Sequence, residues 1–280
     1  MGRRREVQQR LTSLNEIDGI MVAMKNLALL ETHRLAGFIN TQRRAVTSIE
    51  AAAADFLAFY PQAAASGDSM QQMLLLVIGS ERGLCGDFNE TLLEPMSAAR
   101  QQGDTLLVAV GRKLETKLHD DAGISAFVEG PSVGEEVEAA LARLVKVLGD
   151  LQQQRPGQVW RINALYHDDE STGPRLRQLL PLVQPAGRPA YSHAPLLNLE
   201  PAQFFSQLTD QYLYAALHEV FYVSLMAENR KRLEHMDSAI RRMEKDEANL
   251  RLRYNALRQE EIIEEIEIIM LSAEALSETG

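Results

Sequence analysis

The chain has 280 residues, 45% of them hydrophobic, which is enough for one large or two ordinary domains with a globular core. Its formal net charge of −10 argues weakly against nucleic acid as the main partner, and no apolar run approaches the length of about 18 residues that a membrane helix needs, nor is there a secretory signal. The single cysteine, Cys85, excludes an internal disulfide framework and indicates a reducing compartment.

The first sixty residues carry apolar side chains spaced alternately by three and four, which predicts a long helix with a coiled-coil seam. The seam positions are Leu14, Ile17, Met21, Met24, Ala28, Glu31, Leu35, Phe38, Gln42, Ala45, Ile49, Ala52, Phe56 and Phe59. Pro61 is expected to end this helix, so residues 1–61 form the first predicted segment. Two short amphipathic helices in a bundle are the alternative for this segment alone.

Residues 62–200 are predicted to form a small α/β domain after a polar linker at 62–72. Continuous apolar runs at 73–78 and 105–110 each end at a glycine, as is typical of strands buried on both faces of a parallel sheet. Further strands are expected at 124–128 and 159–166, and helices at 88–102, 112–119 and 133–148. This alternation predicts a Rossmann-like domain with helices on both faces. Prolines at 174, 181, 185, 189 and 195 predict an irregular return path over 173–201.

Residues 202–279 contain neither glycine nor proline and are rich in strong helix formers, so the predicted segment 201–280 is one helix of roughly 105–115 Å. Its seam positions are Met236, Ile240, Met243, Leu250, Tyr254 and Leu257, then, after a one-residue slip, Ile262, Ile266, Ile269, Ala273 and Leu276. Isoleucines and glutamates crowd together after Arg258, with no further basic residue. The last turns are therefore apolar on much of their circumference, which implies an enclosing surface.

Two long helices joined by a globular domain must run antiparallel if they pair. The predicted fold is therefore a long antiparallel two-helix coiled coil, formed by both ends of the chain, with an inserted Rossmann-like α/β domain. In that arrangement the basic amino end (Arg3, Arg4, Arg5 and Arg10) faces the acidic stretch 260–267. Ion pairs between them are expected, each contributing about 0 to 1 kcal/mol.

The glycine-rich stretch 79–89 follows a predicted strand and opens a helix, the position where α/β folds bind phosphates. Neither the dinucleotide fingerprint nor the phosphate loop occurs in the chain, so a turn that packs against another backbone is favoured, with Gly83, Cys85 and Gly86 as its structural residues and Asn89 as a helix cap. No histidine lies near Cys85 in sequence, which disfavours a nucleophile. Residues 167–170 favour a solvated acidic loop over a metal site. No catalytic, cofactor or metal residue is expected.

The residues of two segments carry a resemblance to a known family. Ser80-Glu81-Arg82-Gly83-Leu84-Cys85-Gly86 resembles the turn after the first strand of F-type ATP synthase gamma subunits. The segment 254–266, continued by 272–276, is similar to the carboxyl-terminal signature of that family, and 20–24 occupies the position of its amino-terminal signature. Glu228, Arg230, Met236 and Ala239 match its upstream pattern, so the likeness covers the whole chain in order.

The resemblance implies a non-catalytic central rotor shaft that needs no cofactor. The implied partners are alpha and beta subunits of the catalytic ring, the epsilon subunit and the membrane ring of c subunits, and the implied location is peripheral, at the cytoplasmic face of a bacterial membrane. The shaft would couple ion flow to ATP synthesis or hydrolysis. The implied contacts with a beta subunit and the apolar sleeve are Met24, Arg258, Gln259, Ile262, Glu265, Ile266, Ile269 and Leu276, with Met24 near the region of Arg258.

Several positions depart from the family pattern. Gly19, Val22 and Glu31 stand where lysines are usual, Ile263 replaces a threonine, and Ser272 replaces a glycine. These departures indicate a divergent branch, such as an alternative ATPase beside a standard one, with H⁺ or Na⁺ as the coupling ion. Two other hypotheses remain open: an α/β ligand-binding or catalytic domain that dimerises through its terminal helices, and an adaptor whose helices pair between molecules.

Overall fold

The structure, a computed structural model, describes residues 2–64, 71–101, 104–156, 158–168, 173–182 and 193–277. The chain divides into two compact units. The helix-pair unit comprises Met1–Leu27 and Leu233–Gly280, and the domain unit comprises Ala28–Arg232.

The described residues form five helices and five strands. The helices are α1 (Gly2–Phe59), α2 (Glu90–Arg100), α3 (Arg112–Leu118), α4 (Val137–Gln153) and α5 (Pro201–Ser277), and short 3-10 turns occupy Pro61–Ala64 and Gly134–Glu136. The strands are β1 (Gln71–Ile78), β2 (Thr105–Val110), β3 (Ala126–Val128), β4 (Val159–His167) and β5 (Pro174–Leu180). The predicted elements are therefore present, with ends shifted by a few residues, and β5 is an additional strand.

Helices α1 and α5 pair antiparallel within the helix-pair unit. Near the amino terminus, Arg4 Nε lies 3.1 Å from Glu261 Oε2, and further along α1 Lys25 forms an ion pair with Asp237. Met21 and Met236 are buried in the seam between the helices. Later residues of α1 thus face earlier residues of α5, as in an antiparallel pair. The predicted pairing of the basic amino end with the acidic stretch is confirmed at Arg4.

The same antiparallel order holds within the domain unit. The rings of Phe38 and Tyr222 stack with centroids 5.4 Å apart, and the Gln42 amide donates a hydrogen bond of 2.9 Å to the carbonyl oxygen of Ala215. Near the end of α1, Phe56 packs against Phe204 at 5.0 Å between centroids. The long antiparallel helix pair that the sequence predicts is present in both units.

The buried seam of α1 departs from the predicted positions after Leu35. The prediction places Phe38, Ala45 and Ala52 in the seam, but these three are exposed. The buried residues are instead Ile39, Val46 and Ala53, one position further along. The spacing of seven residues is therefore kept, and the buried stripe is shifted by one position where Ile39 and Val46 pack in the core that includes the sheet.

The sheet has the strand order β3-β2-β1-β4-β5. Strand β1 pairs in parallel with β2 and β4, and β3 pairs in parallel with β2. Strand β5 is antiparallel to β4 and forms the edge of the sheet. The prediction of an irregular path from residue 173 is wrong for Pro174–Leu180. Proline is tolerated here because it stands at the first position of an edge strand, where a missing N–H disrupts no ladder.

Alternate residues of the central strands build two cores, one on each face of the sheet. Leu74, Leu76 and Ile78 belong to the core that includes buried residues of α1, α4 and α5. Leu75 and Val77 point to the other face and pack with residues of α2 and α3. Both faces of β1 are thus fully covered, which explains its continuous apolar sequence.

Candidate functional site

The crevice between β1 and β4 is the position in this sheet where a ligand site is expected. The chain proceeds from β1 to β2 and β3 on one side and returns to β4 on the other, so the strand order reverses there. Open α/β sheets bind ligands at such a switch point. Here the position is occupied by Phe88, which is fully buried, and its ring centroid lies 4.1 Å from that of His167. The crevice is therefore closed by side chains.

His167 acts as a structural residue in this crevice. Its Nε2 lies 2.8 Å from the carbonyl oxygen of Phe88 and 3.1 Å from Thr91 Oγ1. Burial lowers the pKa of His167, with a smaller opposing effect of the hydrogen bond to Phe88. The neutral ring thus donates its Nε2 proton to a backbone carbonyl, and it is not positioned as a general base for a bound substrate.

Asn89, predicted to cap α2, does not do so. Its Oδ1 accepts a hydrogen bond from the backbone N–H of Ser80 at 2.9 Å, and its Nδ2 donates to Ser80 Oγ at 2.8 Å. The side chain makes no capping hydrogen bond. The carboxylates nearest the start of α2, Asp87 and Glu90, make this helix terminus unfavourable for phosphate.

The turn after β1 combines a buried thiol with an unusual backbone. Cys85 is buried, its Sγ lies 3.3 Å from Ser80 Oγ, and burial raises the pKa of the thiol. The protonated form is therefore favoured, and Cys85 is not an activated nucleophile. Gly86 has a φ of 61°, and Leu84 has a φ of 63° although it carries a side chain. The carbonyl oxygen of Gly83 accepts a hydrogen bond from Arg232 of α5.

A buried ion pair on α5 fixes this turn. Glu228 is buried and pairs with Arg232, and backbone N–H groups of Glu81 and Arg82 donate to its carboxylate. Burial raises the pKa of Glu228, although Arg232 opposes the shift. Arg232 Nε donates to the carbonyl oxygen of Gly83 at 3.3 Å. Arg232 was not among the residues predicted from the sequence. Its signal is an acid and a base four residues apart on a helix face that is otherwise apolar.

The last described turns of α5 expose apolar side chains on every side. The exposed fractions are 45% for Ile262, 51% for Ile266 and 65% for Ile269. Ile263, Ile268, Met270 and Leu271 are also exposed. The predicted contact residues Arg258, Gln259 and Glu265 are exposed as well, whereas the Leu276 side chain lies outside the described residues. The candidate functional site is therefore a surface, and a patch this apolar indicates a partner.

Met24 is not brought together with Arg258 and Gln259. Met24 is half-buried next to Lys25, which pairs with Asp237, while Arg258 and Gln259 lie near Glu261. About 20 residues of α5 separate these two levels, or roughly 30 Å at a rise of 1.5 Å per residue. The expectation that they share one region is wrong, because the antiparallel register sets Met24 at a different height of the helix pair.

Among the described residues, no group of three histidines, cysteines or acids is arranged to hold a metal ion. Asp168 forms an ion pair with Arg175 at 2.7 Å, while Asp169 and Glu170 lie outside the described residues. No described helix combines the length and apolar character needed to cross a membrane.

The chain is similar to known proteins over almost its whole length. A sequence model of the family described as ATP synthase matches residues 3–276. A relative from Lachnoclostridium phytofermentans, called ATP synthase gamma chain, is 26% identical over 227 residues, which cover 76% of this chain and 77% of the relative. A relative of the same name from Amoebophilus asiaticus is 26% identical and covers 98% of this chain and 99% of its own.

Solved structures share the fold. A chain in the Euglena gracilis mitochondrial ATP synthase, described as OSCP/F1/c-ring in rotational state 3, has a TM-score of 0.65 at 15% identity, covering 98% of this chain and 95% of that one. A chain in the central stalk and c-ring structure of the Tetrahymena thermophila mitochondrial ATP synthase has a TM-score of 0.56 at 17% identity, covering 79% of this chain and 99% of that one. At these identities the likeness concerns the fold alone.

Proposed function

The chain belongs to the ATP synthase gamma family of central-stalk subunits, and we propose that it is the rotor shaft that couples ion flow through a membrane ring of c subunits to ATP synthesis or hydrolysis on alpha and beta subunits. As a gamma chain it is a subunit and not itself the enzyme. The proposed complex lies at the cytoplasmic face of a bacterial membrane, with this chain attached peripherally through its partners.

The observation that carries this proposal is the exposed apolar end of α5. Seven large apolar side chains between Ile262 and Leu271 are exposed on a helix of the isolated chain. An enclosing ring of alpha and beta subunits would cover them on all sides, whereas a flat partner would cover one face only. Glu264, Glu265 and Glu267 would remain near water or pair with basic groups of the ring.

The proposed division of labour follows the three predicted segments. Residues 1–61 and 201–280 form the shaft. Its end, with Arg258, Gln259 and the apolar turns as far as Leu276, contacts the catalytic ring, and Met24 makes a separate contact with the ring at a different height of the helix pair. Residues 62–200 form the domain that meets the epsilon subunit and the c ring. The packing of Phe88 against His167 at the end of β4 supports this role over a ligand-binding one, because buried side chains fill that end of the crevice.

The residue-level test replaces Arg258 and Gln259 together by alanine in the reconstituted complex. Both side chains are exposed, so the fold of the isolated chain should be unchanged. Loss of a charged and a neutral hydrogen bond to a beta subunit should lower coupled turnover about tenfold. The measurement is ATP-driven rotation and ion pumping of the assembled complex.

Arg253→Ala is the matched control, because Arg253 is an exposed arginine on the same helix that is not a proposed contact. It should leave turnover unchanged. Equal turnover in the double variant and the wild type would refute the contact assigned to Arg258 and Gln259. A chain that fails to assemble with alpha and beta subunits would refute the proposed function itself.

A further inference from the structure

An ion-pair network lies where strand β5 meets both long helices in the domain unit. Its members, which we call the edge network, are Arg43 and Glu50 of α1, Asp168 after β4, Arg175 and Arg177 of β5, and Glu219 of α5. Arg177 Nη1 donates to Glu219 Oε2 at 2.8 Å and Arg177 Nη2 to Glu50 Oε1 at 3.2 Å. The guanidinium of Arg177 therefore bridges α1 and α5 from the edge of the sheet.

Further ion pairs close the network. Arg43 lies 3.9 Å from both Glu219 and Asp168. Asp168 also accepts a hydrogen bond of 2.7 Å from Arg175, and the Tyr212 hydroxyl donates to Glu50 at 3.3 Å. Three positive and three negative side chains thus alternate across α1, the segment from Asp168 to β5, and α5, which are far apart in the sequence.

The central members of the network are largely shielded from water. The exposed side-chain fractions are 9% for Asp168, 14% for Glu219 and 18% for Arg177. Burial acts to lower the pKa of Arg177, but its hydrogen bond to Glu219 and the nearby negative charge outweigh this, and the pKa is raised. Charges this far out of water are strongly coupled, because losing one partner leaves another without compensation.

The ion pairs of the edge network fix the orientation of the helices against the sheet, which the neighbouring apolar core does not do. Hydrophobic burial is non-directional, so it opposes separation of a helix from a sheet more than it opposes sliding or turning. A planar guanidinium that donates from two nitrogens to two carboxylates fixes both distance and angle. Arg177 makes such contacts with one carboxylate on each long helix.

We propose that the edge network holds α1 and α5 in fixed rotation against the sheet when the molecule carries torque. This inference rests on the proposed function, since only a rotating complex would load the contact between the helices and the sheet. Arg177 is the central positioning residue, because its two hydrogen bonds join β5 to both helices at once. The network acts through mechanical stiffness and touches no nucleotide.

The test compares Arg177→Lys with the wild type in the assembled complex. Lysine keeps the positive charge but lacks the planar group that reaches two carboxylates in fixed geometry. We expect unloaded ATP hydrolysis to be unchanged, the angular variance of the rotor during ATP-waiting pauses to rise, and the ions pumped per ATP against a gradient to fall. The rotor angle is measured by single-molecule imaging of a bead on the c ring.

Arg100→Lys is the matched control. Arg100 pairs with Asp121 at 2.6 Å, and both side chains are about one-third exposed. Arg100 belongs to α2 and Asp121 follows α3, so this ion pair does not join the sheet to a long helix. A milder variant, Glu50→Gln, keeps the shape of the side chain and should shift variance and pumping in the same direction if Arg177→Lys does not fold. Variance and pumping equal to the control in whichever variant folds would overturn the inference. A complex that does not assemble even with the wild-type chain would instead refute the proposed function.

Discussion

At the scale of single residues, His167 links the closed crevice to the pH dependence of folding. Burial lowers the pKa of this imidazole in the folded state, whereas an unfolded chain has the ordinary value of about 6.5. Below that pH the unfolded state binds more protons than the folded state, so the free energy of unfolding decreases as pH falls. The groups that face the ring include Thr91, and the charges near it are Lys231 and Asp87.

We predict that His167→Gln flattens this dependence. The variant removes the titrating group, so its free energy of unfolding should change less than that of the wild type between about pH 7.5 and about pH 5.5. Denaturant titrations at the two pH values measure the difference. Burial also lowers the pKa of His218, so the comparison is between the two proteins and not against a flat line. An identical slope in the variant would show that His167 does not contribute.

The residue contacts were the least predictable feature from sequence. The structural role of Glu31 cannot be predicted from its neighbours in the sequence, because its partner, the backbone N–H of Gly134, lies 103 positions away. Arg177 and Glu219 are likewise brought together only by the pairing of β5 with β4 and the packing of α5. Local spacing constrains only neighbours on one helix or strand, as it does for Glu228 and Arg232.

At the scale of elements, α4 docks on α1 through a buried carboxylate. Glu31 Oε1 accepts a hydrogen bond of 2.6 Å from the N–H of Gly134, in the 3-10 turn that precedes α4. A Cβ atom at residue 134 would lie 3.2 Å from Leu35 Cδ2, so the turn approaches α1 closely. The Glu31 side chain is buried although it carries a carboxylate.

We predict that Glu31→Ala lowers the free energy of unfolding by about 1–3 kcal/mol, because it leaves the buried N–H of Gly134 without an acceptor. Glu31→Gln should cost less, since its amide oxygen can still accept. Arg34→Ala is the control: it removes only the exposed ion pair of Arg34 with Glu135, and should cost less than about 1 kcal/mol. Denaturant unfolding measures all three. Equal losses in the alanine variant and the control would contradict the docking role.

Most helices and strands could be predicted from the sequence, and the wrong predictions have physical causes. The apolar runs of β1 and β2 are read correctly because both faces of these strands are buried. Strand β5 was missed because it is an edge strand with two arginines and flanking prolines, a composition that also fits a loop. The α1 seam keeps its spacing of seven residues but is shifted by one position after Leu35, because that part of α1 packs on the core of the sheet and the sequence pattern alone does not show which face meets this core.

At the scale of the whole molecule, the filled crevice and the exposed apolar end of α5 favour binding to a partner protein over binding of a small ligand. The crevice where this fold class binds ligands is filled by Phe88 and His167. The large apolar surface lies instead on α5 beyond Arg258. A rotor shaft requires the two long helices to pair within one chain, whereas an adaptor coiled coil would pair them between chains.

Crosslinking tests this requirement directly. Lys25 and Asp237 form an ion pair across the helix pair, so cysteines at both positions should be joined by a short thiol crosslinker within one chain, and the product should keep the monomer mass on gels and in mass spectrometry. Cysteines at 25 and 252 are the control, because residue 252 lies about 22 Å further along α5 than residue 237. The native Cys85 is buried and serves as the unreactive background. Dimers as the main product of the 25 and 237 pair would establish pairing between chains and refute the rotor shaft.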